Sequence, residues 1–158
     1  MSGLPASAQR VQDRLGELGF GNLVVEMPDT TRSAADAAAA CGCEVAQIAK
    51  SIIFRASVSN RAVLVMASGV NRVDEAMLAA ALGEKLAKAD ADFVRASTGF
   101  AIGGVAPIAH NEAPEIFIDR ELMGFETIWA AAGTPRAVFE LTPGELVRMT
   151  GGAVIEIC

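Results

Sequence analysis

Two stretches of this 158-residue chain carry side chains or backbone that could do chemistry. In Ala49-Lys50-Ser51-Ile52-Ile53-Phe54, Lys50 interrupts an apolar run at the approach to a predicted central strand. An ammonium placed there either snorkels outward on its aliphatic stem or is held in a cleft where an anion compensates it. The second stretch is Gly103-Gly104-Val105-Ala106-Pro107, a G-x-x-x-P loop. Glycine permits positive φ and close approach by a ligand, and proline stiffens the exit. Such a loop can aim backbone groups at a bound molecule, or it can be ordinary punctuation between strands.

The rest of the inventory narrows the chemistry. His110, the one histidine, follows the loop and either donates to a substrate or to RNA or serves as a structural hydrogen-bonding group. Asp119, at the end of a predicted strand, reads as a cap of the next turn rather than a general base. No Ser/His/Asp triad is visible. Cys41 and Cys43 are too closely spaced for a zinc knuckle and match no redox motif, so with Cys158 they read as packing thiols. We expect no metal and no cofactor, because one histidine and three cysteines cannot readily assemble a common zinc site.

Thirteen basic and nineteen acidic residues leave a net charge of -6, which argues against gripping nucleic acid by bulk attraction to phosphate. Any RNA contact must be local. Arg32, Lys50, Arg55, Arg61, Arg72, Arg95 and Arg136 are the cations that could gather for it, or they are scattered solvated charge. No stretch is apolar for long enough to cross a bilayer, and Met1 to Arg14 lacks the apolar core of a secretory signal. A soluble, cytoplasmic protein is expected.

These residues must be positioned by short elements. Val11, Leu15 and Leu18 recur at helical spacing, which predicts a helix over 6–18 ending at Gly19. Leu23 to Met27 reads as a strand, and Ser33 with Asp36 opens an alanine-rich helix that Gly42 ends. A helical turn over 44–49 leads into a hairpin of strands 51–56 and 62–67. Helices are expected from Val73 to Gly83 and over 91–97, then strands 116–118, 127–131 and 136–141. Thr142-Pro143-Gly144-Glu145 starts a helix with threonine cap, proline and N3 glutamate, and 153–157 returns to the sheet. Strands and helices mix without strict alternation, which predicts one α+β domain over 1–158, with a curved, mixed, mostly antiparallel sheet flanked by helices.

In order and spacing the chain resembles the YbaK/ProX family and the editing domain inserted in many bacterial prolyl-tRNA synthetases. The resemblance covers nearly the whole chain. Its marks are Thr31-Arg32-Ser33-Ala34, Ile48-Ala49-Lys50-Ser51-Ile52, Thr98-Gly99-Phe100-Ala101-Ile102 running into Gly103 to Pro107, Ile118-Asp119, and Ala132-Gly133. It implies hydrolysis of the ester joining a wrong amino acid to the 3′-terminal adenosine of tRNA, most often tRNA for proline. Lys50 matches the family's essential lysine, which is thought to hold the tRNA end. Gly103, Gly104 and Pro107 would form the loop that positions ester and water, assisted by the terminal ribose 2′-hydroxyl. Thr31, Ser51, Val105, Ala106, His110, Ala131 and Gly133 would contact the substrate.

The expected partners are the acceptor end of mischarged tRNA and a prolyl-tRNA synthetase. The chain departs from the cysteine-editing branch of that family. There a serine and an aspartate stand where this sequence has Ala131 and Val138. Loss of two polar groups suits a pocket for a small apolar side chain, alanine or 2-aminobutyrate, over cysteine. Two other classes compete: a non-catalytic tRNA- or synthetase-binding module of the same fold, and a hydrolase of small amino-acid esters or thioesters. The editing reading requires Lys50 and the glycine loop to face one another across a shared cavity.

Overall fold

The computed structural model describes residues 3–31 and 33–158; Arg32, one of the cations and family marks named above, lies outside the described residues. Helix α1 (Ala6–Glu17) buries Ala8, Val11 and Leu15 along one stripe. Strand β1 (Val24–Glu26) follows, then α2 (Ala34–Cys41), whose N-terminus is capped by Ser33 accepting from the Asp36 amide. Gly42 ends α2 in the left-handed region at φ 70°, where an L side chain would be strained.

The expected helical turn is shorter than its sequence suggests. A 3₁₀ turn covers only Val45–Gln47, closed by reciprocal Glu44–Gln47 bonds, and β2 runs Ile48–Ala56. Lys50 is therefore inside the strand rather than ahead of it. The reason is tertiary: Ile48 and Ala49 pair in parallel with Trp129 and Ala130, a partner eighty residues away that local pattern cannot announce.

Strand β3 (Ala62–Ser68) is buried along its length and forms the expected hairpin with β2. Next come α3 (Glu75–Leu82), capped by Asp74, then β4 (Leu86–Lys88) and α4 (Ala91–Thr98). Strand β5 (Glu115–Asp119) and a 3₁₀ turn (Arg120–Gly124) precede β6 (Ile128–Ala131) and β7 (Ala137–Leu141). The predicted capping box at Thr142 and Glu145 opens α5 (Pro143–Thr150), and β8 (Ala153–Ile155) ends the sheet. β4 and the second 3₁₀ turn were absent from the sequence expectation, being too short to show a period.

The eight strands form one sheet in the order β1-β7-β6-β2-β3-β5-β8, with β4 on β2. Among the described residues four pairings are antiparallel and three are parallel, giving an α+β fold with a mixed sheet flanked by five helices. Alternation along β3 divides the core. Leu64 and Met66 join Leu15, Phe100, Phe139 and Leu146 on one side, while Val63, Val65 and Ala67 join Leu78 and Ile157 on the other. A third, small cluster of Ala37, Ala38 and Ile48 lies under α2, with Trp129 against it. Each fully buried large side chain contributes about 1.5–3 kcal/mol, and the first cluster holds α1, α4 and α5 on the sheet.

Candidate functional site

The site arises where the sheet comes apart. β2 keeps its parallel partner β6 for two residues only, then meets β4 from Phe54 onward. Along Lys50 to Ile53 no other strand pairs with that edge among the described residues. The glycine loop borders the gap, and a cavity open to solvent remains between them, with about 470 Å³ of free space when its open mouth is included. Lys50 and Ser51 line it from β2, Gly103 and Val105 from the loop, Thr31, Ser33, Ala34 and Ala37 from α2 and its approach, and Trp129, Ala131 and Val138 from β6 and β7.

Lys50 is the one charged residue among the described lining. Its ammonium donates to the Gly69 carbonyl over 3.5 Å, the outer limit of a hydrogen bond. None of the ion pairs among the described residues includes it. The cavity thus offers an anionic group a cation with no carboxylate competing for it. Thr31, buried, spends its hydroxyl proton on the Pro135 carbonyl at 2.7 Å, and Ser51 turns its hydroxyl toward the Met66 sulfur at 3.4 Å. The remaining wall is mostly alanine, isoleucine, valine and tryptophan. Ala131 and Val138 are cross-strand partners in the β6–β7 ladder, so one pair forms that patch of wall.

Conformation and contact hold the loop in place. Gly103 sits at φ 91°, and the Gly104 amide donates to the Ala101 carbonyl at 3.0 Å. A Cβ on Gly104 would fall 2.9 Å from the Thr134 backbone, so the loop lies directly against the β6–β7 turn. Arg10 of α1 clamps the loop's ends: it donates to the carbonyls of Thr98 at 3.1 Å and of Ala109, and stacks 4.7 Å from the Phe100 ring centre.

Five of the residues named from sequence stand outside the cavity lining: Gly104, buried against the Thr134 backbone, and Ala106, Pro107, His110 and Gly133. Ala106 is fully buried in the main core, and its carbonyl is bonded by His110 Nε2 at 2.6 Å. Pro107 and His110 line a separate hollow with Arg14, Leu18 and Met149. The kink at Gly103 and Gly104 turns the rest of the loop into the core, so residues three or four positions on cannot reach the cavity. Gly133, at φ 99°, packs on α1, where a Cβ would lie 2.5 Å from the Ser7 carbonyl oxygen. Its part is to set the turn that carries Thr134 against Gly104.

Burial pushes the His110 imidazole below its usual 6.5 and nearby Arg10 lowers it further, against the opposing hydrogen bond to Ala106. Between that depressed value and 6.5 the unfolded chain binds more protons, so stability is complete above about 6.5 and is lost as pH falls. Thermal melts should therefore show Tm falling as pH drops below about 6.5. His110→Gln should flatten part of that fall, and an unchanged slope would contradict the assignment of His110 as a neutral structural group.

No group of three His, Cys, Asp or Glu side chains converges among the described residues. Burial raises the Cys41 thiol to about 11, with Cys43 and Glu140 adding to the rise, so it stays protonated and a poor nucleophile or ligand near neutrality. Sequence reasoning missed Trp129, Ile48, Ala34 and Ala37 as lining residues. A signal existed for the first: Trp129 and Ala131 share a face by the two-residue period of a strand.

A second hollow of about 460 Å³ adjoins the first and shares Ser51, Gly103 and Val105 with it. Ile52, Ile53, Ala89 and Val94 line it, and Ile102, 58% exposed, stands at its rim.

Fold and cavity together define an α+β protein with a cleft whose described lining carries one cation, Lys50. The model of the aminoacyl-tRNA editing domain matches residues 28–149, and the chain belongs to that family. A solved structure of a candidate trans-editing enzyme for prolyl tRNA synthetase is 45% identical, with a TM-score of 0.93 and 98% of each chain covered. The hypothetical protein APE2540 is 27% identical with a TM-score of 0.86, over 94% of this chain and 98% of its own. YwhH, an uncharacterized protein of Bacillus subtilis (strain 168), is 31% identical over 153 residues, 96% of this chain and 97% of its own length. No helix among the described residues is long and apolar enough to cross a membrane.

Proposed function

We propose that residues 1–158 act as one freestanding editing domain that hydrolyses the ester of mischarged tRNA. The proposed substrate is tRNA for proline carrying alanine, 2-aminobutyrate or, less well, cysteine. The observation that carries this reading is the ammonium of Lys50 on a cavity shared with Gly103 and Val105 of the loop. Lys50 holds the phosphate or ribose end of the tRNA. The loop backbone orients the ester carbonyl and a water. Water oxygen bonds to the carbonyl carbon, the C–O ester bond breaks, and the terminal ribose hydroxyl leaves with a proton as the amino acid is freed.

The cavity's described lining contains no carboxylate and no histidine, so no side chain there serves as a strong base. Catalysis is then positional: orientation and preorganised dipoles supply roughly several kcal/mol. The adjoining hollow gives room for the rest of the terminal nucleotide. With a net charge of -6, affinity for tRNA comes from local contacts, and a prolyl-tRNA synthetase is the proposed partner that supplies the rest, in the cytoplasm.

The Ala131–Val138 pair supports an apolar side-chain pocket. One methylene changes binding in such a pocket by about 1–3 kcal/mol, so synthetases confuse small amino acids and a second sieve corrects them. The test is multiple-turnover release of amino acid from tRNA charged with alanine, 2-aminobutyrate, cysteine or serine. Alanine and 2-aminobutyrate should be released fastest, at rates that weaken with rising salt. Equal rates on alanine, cysteine and serine would sink the apolar pocket, and stoichiometric binding without release would identify a non-catalytic module.

A further inference from the structure

We propose that Asp119 and Asn71 are positioning residues that fix the Lys50 ammonium in the cavity through the carbonyl of Gly69. The proposal rests on the editing function above for its consequence, though not for its geometry. Lys50 lies opposite Ala67 on β3, and its hydrogen-bond acceptor, Gly69, follows one residue after β3 ends. The place of that carbonyl is decided by the turn from Ser68 to Asn71, closed by the Asn71 amide on the Ser68 carbonyl at 2.9 Å.

A buried carboxylate anchors that turn. Asp119 is 2% exposed at the end of β5, which runs parallel to β3 with Ile118 beside Met66. One of its oxygens, Oδ2, accepts from the Ser68 amide at 3.0 Å and from Asn71 Nδ2 at 2.8 Å, and Oδ1 accepts from the Glu121 amide at 3.0 Å. Asn71 Nδ2 also donates to the Glu121 carboxylate. Burying a carboxylate is costly unless such donors surround it, and charge-assisted bonds are roughly twice as strong as neutral ones. Two of the three donors therefore tie Ser68 and Asn71, the ends of the turn, to one buried point, and the third, the Glu121 amide, holds the carboxylate itself.

Packing removes the remaining freedom. The Ser68 hydroxyl donates to the Ala46 carbonyl at 2.7 Å. A Cβ on Gly69 would fall 2.3 Å from the Val45 carbonyl oxygen and 2.9 Å from the Ala34 Cβ, and Ala34 is itself cavity wall. The turn is thus wedged between the first 3₁₀ turn and α2, and its outward carbonyl meets the ammonium. Lys50 carries several rotatable bonds, so without this seat its charge would sweep a range of positions. A misplacement of about 1 Å at a positional site can lower the rate about 100-fold.

The experiment uses lysine labelled at Cε and Nζ, because the chain has only Lys50, Lys85 and Lys88, and the last two are exposed references. In the wild type the Lys50 signal should show restricted side-chain motion by NMR relaxation. Asn71→Ala should bring it to the mobility of the exposed pair with the fold intact by thermal melting. Asp119→Asn should do the same, since one of its acceptors becomes a donor facing other donors. If that variant does not fold, Asn71→Ala alone decides. A Lys50 signal unchanged in folded Asn71→Ala overturns the proposal.

Kinetics supply the functional half. Asn71→Ala should lower kcat/KM for deacylation at least about 10-fold, yet add less than about 2-fold in a Lys50→Ala background, since coupled residues are not additive. Equal fold losses in both backgrounds would mean a merely structural role and overturn the proposal. A wild type that never hydrolyses mischarged tRNA would sink the editing function, while NMR still decides whether the turn seats the lysine.

Discussion

Lys50→Ala is expected to lower deacylation by about 100-fold or more while leaving the melting temperature nearly unchanged. The two halves of that expectation have separate grounds. For folding, Lys50 makes one long hydrogen bond and belongs to none of the ion pairs among the described residues. Its removal leaves no buried acceptor stranded beyond the Gly69 carbonyl. For function, the side chain supplies the only charge among the described lining of the cavity. Charge-assisted hydrogen bonds contribute about 1.5–3 kcal/mol, and a preorganised donor at a developing charge contributes about 2.7–4 kcal/mol. Each 1.4 kcal/mol, roughly, is a factor of ten. The measurement is single-turnover deacylation beside a thermal melt. A variant that keeps full activity would remove the ammonium from the mechanism.

Gly104→Ala is expected to cut kcat by about 10- to 100-fold with a loss of stability of similar free energy. The added methyl would sit 2.9 Å from the Thr134 Cα and carbonyl carbon and 3.0 Å from its nitrogen. Those are backbone atoms, and the turn that carries them cannot retreat, because Gly133 is already pressed on the first turn of α1. The loop must shift instead, and it forms one wall of the cavity. Overpacking of this kind costs about 1–3 kcal/mol of stability, and displacement of a positioning loop by about 1 Å can cost about 100-fold in rate. Unchanged kcat in this variant would show that the loop backbone does not orient the reacting groups.

Much of this was legible in the chain, and the legible parts share a physical cause. The caps at Ser33, Asp74 and Thr142 and the stop at Gly42 lie where local hydrogen bonding and glycine's freedom at positive φ put them. The β2–β3 hairpin follows from two apolar runs around a short polar turn. Lys50 and Gly103, chosen by residue type and motif resemblance, line one cavity. The limits are equally specific. Ala106, Pro107 and His110 belong to the same motif neighbourhood as Gly103, but one kink sends them into the core and to another surface. Motif membership says nothing about the direction a backbone takes after a positive-φ glycine.

The sequence by itself therefore determined most of the elements and the α+β class, and it picked out the cation and the one glycine that line the cavity. These depend on interactions between residues a few positions apart, which any reader of the chain can weigh. Only the tertiary structure decided that β2 and β6 separate after two paired residues, that Trp129 and Ala34 close the cavity, and that a buried Asp119 carboxylate holds the turn beside the lysine. Each depends on contacts across dozens of residues, whose free energy is set by packing and burial and leaves no period or motif in the local chain.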